Sequence, residues 1–308
     1  DPYRGIRANL LRPGYGTDQY VQKLRSFRHP VERGIRTMLR TLPPVAGKRA
    51  RERELYRVGE GESAPDVIAV SNYMRDEILE GFSLDPDRVH VIPNGVDVEH
   101  FSPERRLALR EASRERFGVP EHALCILMVA HNYRLKGVRA GMAHVARLRR
   151  AGIEAHLLVA GRGTGTLQRW RARRWAAGLG VSDAVHLPGA VQPVLEAYAA
   201  ADVFLHPSWH DAFGFVVLEA MACGLPTITT PYTGAAMIVE DAVSGRVADP
   251  LDTGTIYRYL HELSDPSARR RMGEAARAVA QTHDESSNFQ AVERVCRIAA
   301  DRTEGPVR

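Results

Sequence analysis

Two acidic residues, Asp211 and Glu219, stand eight positions apart on either side of Gly214 in the segment HPSWHDAFGFVVLEAMACGLPTITT, residues 206–230. If a helix starts near Gly214, Asp211 lies in the loop ahead of it. Glu219 then lies between one and two turns in, roughly 6–9 Å along the axis at about 1.5 Å per residue. Between the two acids come the amides of Phe213, Gly214, Phe215 and Val216. At a helix start such N–H groups have no partner within the helix, and together with the helix dipole they attract phosphate oxygens. A sugar, a diphosphate and a ribose fit this order of carboxylate, amides and carboxylate. On spacing alone, Asp211 could instead cap the helix and Glu219 could be a solvated surface residue.

Cations that could serve the same ligand are Arg134 and Lys136, which follow an apolar run at Leu124–Ala130. Arg offers a planar fork of donors and Lys a compact charge, so the pair could balance a diphosphate without a metal. Surface cations in a loop are the plain alternative. Gly161-Arg162-Gly163-Thr164-Gly165 falls short of a full dinucleotide fingerprint and has no acidic partner at the right distance, so it reads as a strand-to-helix turn with Arg162 as an optional phosphate contact. His206 and His210 sit four apart, but Pro207 forbids a regular helix there and no third ligand is near, which argues against zinc. His206 more simply ends a strand, and His210, beside Asp211, is a candidate contact to a donor sugar.

These residues need elements to hold them. The run Asp202–Leu205 reads as a buried strand, Gly224-Leu225-Pro226 stop the helix, and Thr227–Thr230 reads as the next strand. In a parallel α/β sheet such a unit puts the loop and the helix start at the carboxyl edge, where ligands bind. Further strands are expected at Asp66–Val70, Val89–Ile92, Leu124–Ala130, Glu154–Ala160 and Ala184–Leu187. Helices are expected at Tyr73–Glu80, Pro103–Phe117, Val138–Ala151, Leu167–Leu179 and Val194–Ala200. The tail reads as helical over 255–263, 266–282 and 286–302. Strand and helix alternate throughout, which predicts parallel sheets covered on both faces.

Composition fits an ordinary folded protein, with 308 residues, 44% hydrophobic and 26% charged. No apolar run is long enough to span a bilayer and the start has no signal-peptide pattern, so a cytoplasmic place is expected. Cys125, Cys223 and Cys296 are widely spaced and suggest neither a disulfide nor a metal site. Residues 1–60 hold 14 Lys and Arg against 6 Asp and Glu, a net of +8 in a chain of net +5, which leaves −3 for the remainder. The stretch 25–57 reads as one or two basic helices broken at Pro43-Pro44, either a solvated, charge-rich face or one suited to an anionic membrane surface or a phosphorylated acceptor; nucleic acid is less favoured because no recognition motif accompanies the charge.

The segment 206–230 resembles the Glu-x7-Glu signature of retaining glycosyltransferases of family 4, which have the GT-B fold of two Rossmann-like domains. Further matches follow in order. Ser71-Asn72-Tyr73-Met74-Arg75-Asp76 and Pro93-Asn94-Gly95-Val96-Asp97 resemble the end of that family's first domain. Arg134-Leu135-Lys136-Gly137 resembles its diphosphate-binding turn, Val185-His186-Leu187-Pro188-Gly189 its base-binding strand, and Gly234 and Gly245 the glycines after the signature. The Asn-Tyr-Arg-Leu-Lys-Gly wording and the Gly234-Ala235-Ala236 turn look most like the lipopolysaccharide core glucosyltransferase I group.

The resemblance implies an enzyme that moves a hexose from a nucleotide sugar, UDP-glucose foremost, to a lipid-linked or lipopolysaccharide-core saccharide, as a peripheral protein at the inner membrane face. Asp211, Arg134 and Lys136 would act at the reacting end. Glu219, Gly214, Phe215, Val216, Phe213, His210, Arg162, Leu187 and Gly234 would hold the donor, with neither metal nor other cofactor. The implied organisation is a partial acceptor-side domain over 1–103, a donor-binding domain over 104–285 and a returning helix over 286–308. Asp211 stands where the family usually has Glu, and Met237 where members often carry Glu. The first 60 residues contain no convincing buried strand, so the front of the first domain is expected to be missing. A nucleotide-sugar-binding remnant or partner subunit without turnover is the alternative; a nucleotide-sugar 2-epimerase of the same fold would need acid and base residues from both domains that this sequence does not show.

Overall fold

The computed structural model describes residues 10–11, 65–82, 84–163 and 165–303. The chain divides into two units, one formed by residues 1–94 with 286–308 and the other by residues 95–285. The basic stretch 25–57 lies outside the described residues.

In the first unit, β1 (Leu10–Leu11), β2 (Asp66–Ala69) and β3 (Val89–Val91) form a parallel sheet in that order. The two-residue β1 falls within the part of the sequence read as having no strand; a pair of leucines is too short for alternation to register, and only its pairing with β2 reveals it. Helix α1 (Asn72–Gly81) starts where the Ser71 hydroxyl accepts from the Met74 amide at 3.0 Å.

The second unit opens with α2 (Pro103–Ala108) and α3 (Arg110–Phe117), a break at Leu109 dividing what the sequence presents as one helical stretch. It then alternates β4 (Leu124–Val129), α4 (Val138–Arg150), β5 (Ala155–Ala160), α5 (Thr166–Leu179), β6 (Val185–Gly189), α6 (Leu195–Ala200), β7 (Val203–Leu205), α7 (Phe215–Ala222), β8 (Thr227–Thr229) and β9 (Gly245–Val247). Helices α8 (Thr253–Glu262) and α9 (Pro266–Gln281) close it, and α10 (Glu285–Thr303) runs on into the first unit. There the Asn288 side-chain amide donates to the Pro93 carbonyl, and Arg302 reaches the buried Asp66 carboxylate at 2.6 Å.

The six strands of the second unit lie in the order β6-β5-β4-β7-β8-β9, all parallel. Strands β4 and β5, LCILMV and AHLLVA, are apolar almost without interruption because helices cover both faces; Ile126, Leu127, Leu157 and Leu158 are fully buried. One charge is deliberately interior. The Arg114 guanidinium is 1% exposed, pairs with Asp202 at 2.5 Å and donates to the carbonyls of Ala200, Pro120, Glu121 and Ala123. Its charge is matched and its donors are used, the condition for burying a cation without a large penalty.

Strand order sets the place of chemistry. The sheet grows outward from β4 to β5 and β6 on one side, and resumes at β7 on the other. The helices that follow β4 and β7 therefore lead to opposite faces, and the strand order opens a crevice at the carboxyl edge, the position where open α/β sheets bind ligands.

Candidate functional site

Both halves of the predicted site meet in that crevice. The loop after β4 carries Arg134 and Lys136 and ends at Gly137, which adopts φ 69°. A Cβ there would stand 2.6 Å from the Pro207 carbonyl oxygen, so only glycine allows this loop to lie against the one after β7. The Trp209 amide donates to the Leu135 carbonyl at 3.0 Å and joins the two loops. Lys136 Nζ consequently pairs with Asp211 Oδ2 and lies 3.4 Å from His206 Nε2, which is itself 3.3 Å from Asp211 Oδ2.

The electrostatics of this trio favour a neutral His between opposite charges. His206 is 1% exposed, and burial, then the Lys136 charge, push its pKa down against the pull of Asp211. For Asp211, burial alone would raise the carboxyl, but the hydrogen bond with His206 and the Lys136 charge hold it well below the usual carboxylate range. An ammonium has three donors. With Asp211 bonded to it and His206 Nε2 3.4 Å away, at least one of the Lys136 donors has no partner among the described residues. Arg134, on the same loop, is exposed.

Asp211 does not cap α7. The N-cap is Gly214, at φ 88° and without a side-chain bond, and a Cβ on it would come 2.8 Å from Thr233 Cγ2. The amides of Gly214, Phe215 and Val216 make no backbone hydrogen bond among the described residues. The loop ahead is held by three bonds to its neighbour: Asp211 N to Tyr232 O at 2.9 Å, Gly234 N to Asp211 O at 2.9 Å, and Ala235 N to Phe213 O at 2.6 Å. Gly234 thus acts here as a buried backbone clamp. Phe213 is buried and meets the 53% exposed Phe215 edge to face at 5.8 Å.

Glu219 is half-buried and oriented by a partner that the sequence did not suggest. The Tyr198 hydroxyl, on α6, donates to Glu219 Oε2 at 2.6 Å. Burial raises the Glu219 pKa and this bond lowers it, with a net rise, while burial and then Glu219 drive the Tyr198 pKa well up. The phenol therefore stays a donor. A tyrosine in an alanine-rich helix gives no signal in one dimension, because its partner lies 21 positions away.

A cavity of about 470 Å³ opens at the carboxyl ends of β4, β5 and β6, lined in part by His131, Arg162, Gly163, Arg169, Pro188 and Gly189, with none of Lys136, His206 and Asp211 in its wall. Arg162 therefore lines this cavity, on the β5 side of β4. Leu187 instead packs against the main core, and the cavity takes its neighbours Pro188 and Gly189. His210 is 6% exposed, with its carbonyl held by Ser208 Oγ at 2.9 Å. His131 and Arg169 were not singled out from the sequence; lone charges in a loop and on an arginine-rich helix gave no pattern to follow. Among the described residues no group of three or more His, Cys, Asp or Glu side chains could hold a metal ion.

Comparison with known proteins gives the chain relatives. Residues 110–279 match the family described as "Glycosyl transferases group 1", and residues 43–100 match "Glycosyltransferase Family 4". A D-inositol 3-phosphate glycosyltransferase of Geodermatophilus obscurus is 34% identical over 64% of this chain and 46% of its own length. One from Paenarthrobacter aurescens is 32% identical over 79% of this chain and 58% of its own. The chain spans about half the length of these curated relatives. Among solved structures, WaaG, a glycosyltransferase involved in lipopolysaccharide biosynthesis, superposes with TM-score 0.73 at 25% identity, over 93% of this chain and 74% of that one. Anabaena Alr3699/HepE, solved in complex with UDP-glucose, shares the fold with TM-score 0.66 at 22% identity, over 76% of this chain and 64% of its own.

Proposed function

Because the chain belongs to the group 1 glycosyl transferases, with their α/β GT-B fold of parallel sheets, we propose that it transfers a hexose from a nucleotide sugar, UDP-glucose, to a lipid-linked saccharide of the lipopolysaccharide-core kind at the inner face of a membrane. The observation that carries this reading is the meeting of Lys136, from the end of β4, with Asp211, from the end of β7, beside the unbonded amides that open α7. In this reading the diphosphate lies against the amides of Gly214, Phe215 and Val216, with the free donor of Lys136 and the fork of Arg134 above it. Glu219, held by Tyr198, takes the ribose hydroxyls. Asp211, fixed as an anion, takes the hexose, and Arg162 borders the cavity at the ends of β4, β5 and β6.

Transfer breaks the bond between the hexose C1 and its phosphate oxygen, and the electron pair stays on the phosphate. Negative charge grows there as the bond lengthens. Lys136, Arg134 and the amides, already in place, stabilise that charge more than they stabilise the intact donor, which is how they would lower the barrier. No metal is required, because the cations and the helix start supply the positive potential. Retention at C1 is what the family resemblance implies.

The acceptor has two readings. The turn at Asn132–Gly137 and the 25% identity to WaaG favour a lipopolysaccharide-type saccharide. The 34% and 32% identities to D-inositol 3-phosphate glycosyltransferases favour a phosphorylated polyol instead. Calorimetry with UDP, GDP and ADP, followed by transfer from radiolabelled UDP-glucose to each acceptor class, tests both. Tight UDP binding with label in the lipid-linked saccharide supports the first. Label in inositol 3-phosphate supports the second, binding without transfer points to a nucleotide-sugar-binding partner subunit, and no nucleotide binding rejects the site.

A further inference from the structure

We propose that the outward face of α5 is a docking surface for an anionic phospholipid bilayer, which deepens the reading of a lipid-linked acceptor and rests on it for its purpose. Leu167 and Trp170 are among the most exposed large apolar side chains described, at 57% and 53%. With Arg171 and Arg174 they follow the i, i+3, i+4, i+7 spacing that places side chains on one helix face. The opposite face buries Ala172 and Ala176 in the main core, with Trp175 and Leu179 packed against it. The helix is therefore anchored on one side and presents a mixed apolar and basic surface on the other.

Charge identifies the partner. Arg162, Arg169, Arg171, Arg173 and Arg174 occur in a stretch with no Asp or Glu before Asp183. Arg171, Arg173 and Arg174 are exposed, and the Arg174 guanidinium lies over the Trp170 ring, 4.9 Å from its centroid. An aromatic ring at head-group depth, flanked by cations whose stems lie along apolar surface and whose heads reach phosphates, is the chemistry of a bilayer interface. A single helix face is convex and offers no groove for a peptide, whereas a bilayer can receive protruding Leu and Trp side chains. The first turns of α5 also supply Thr166 and Arg169 to the donor cavity. Docking through this face would bring that cavity to the membrane surface, where a lipid-linked acceptor is held.

The test is flotation of the whole chain with phosphatidylcholine vesicles and with vesicles containing phosphatidylglycerol, at low and high salt. The expected result is salt-sensitive binding to the anionic vesicles only. Replacing the three cations (R171Q/R173Q/R174Q) should weaken it at least about tenfold, since each basic group near an anionic surface adds to binding. The apolar variant L167A/W170A should also lose at least about tenfold, from the buried area withdrawn. A charge control on α9, R270Q/R271Q, should stay within about twofold of the parent, because it removes charge away from the proposed face. In a W175F/W209F background, Trp170 fluorescence should shift to the blue on anionic vesicles. Absence of vesicle binding by the parent, parent-like binding by both α5 variants, or unshifted Trp170 emission overturns the proposal. UDP calorimetry on the same proteins keeps the two readings apart: nucleotide binding without vesicle binding sinks only the docking surface, and vesicle binding without nucleotide binding sinks the transferase reading.

Discussion

Lys136, His206 and Asp211 form a unit whose members cannot be removed independently. Replacing Lys136 by Met leaves a partly buried carboxylate without its cation, so K136M should lose about 1–3 kcal/mol of stability in urea unfolding. The double variant K136M/D211N should recover most of that loss, because both partners are then uncharged, yet stay at least about tenfold weaker for UDP, since a diphosphate-facing cation is gone. Recovery of UDP affinity in the double variant would show that Lys136 serves Asp211 alone. At the other end, E219A should weaken UDP binding by about 1–3 kcal/mol, as a charged hydrogen bond to the ribose is lost. Y198F should cost about 1 kcal/mol by releasing the Glu219 carboxylate; equal affinities in calorimetry would place the ribose elsewhere. The acids and cations stood out in the sequence because charge beside glycine-rich turns is conspicuous there. Tyr198 did not, since only folding brings α6 against α7.

At the scale of elements, the site depends on how closely the β4–α4 and β7–α7 loops can approach. A methyl group at position 137 would meet the Pro207 carbonyl at 2.6 Å on a backbone of φ 69°, so clash and left-handed strain add. G137A should therefore lower stability by about 2–4 kcal/mol and abolish UDP binding, while G152A, in open space but also at positive φ, should cost only the strain, about 1 kcal/mol. Thermal melts of the two variants separate approach from strain; equal losses would mean that loop contact is unimportant. Most elements were legible because their apolar periods were long and their stops were Gly or Pro. The helix break at Leu109 was not, since neither residue type marks it. The strand β9 was also missed: Gly245-Arg246-Val247 is an edge strand of three residues with too little apolar pattern to stand out.

At the scale of the whole molecule, the core of the second unit contains a titratable group that opposes acid tolerance. His144, on α4, is 1% exposed, and neither ring nitrogen has a hydrogen-bond partner among the described residues. Burial, then the Arg147 charge, push its pKa from 6.5 down to about 4. The unfolded chain takes up this proton first, so the stability His144 allows is full above pH 6.5 and falls as the pH drops toward 4. Between pH 7.5 and pH 5 the parent should lose about 2 kcal/mol that H144L keeps, at about 1.4 kcal/mol per pH unit below the ordinary value. Urea unfolding at the two pH values checks it, and equal losses would mean that His144 is hydrated. The sequence by itself determined the alternation of strand and helix, and hence the parallel α/β class, because burial on two faces writes itself as continuous apolar runs. It also determined which acids, cations and glycines stand at the strand ends. What only the tertiary structure decided was their pairing. Lys136 and Asp211 are 75 positions apart and meet because β4 and β7 are neighbours in the sheet. Strand order is a matter of which faces pack together, and no local pattern along the chain encodes it.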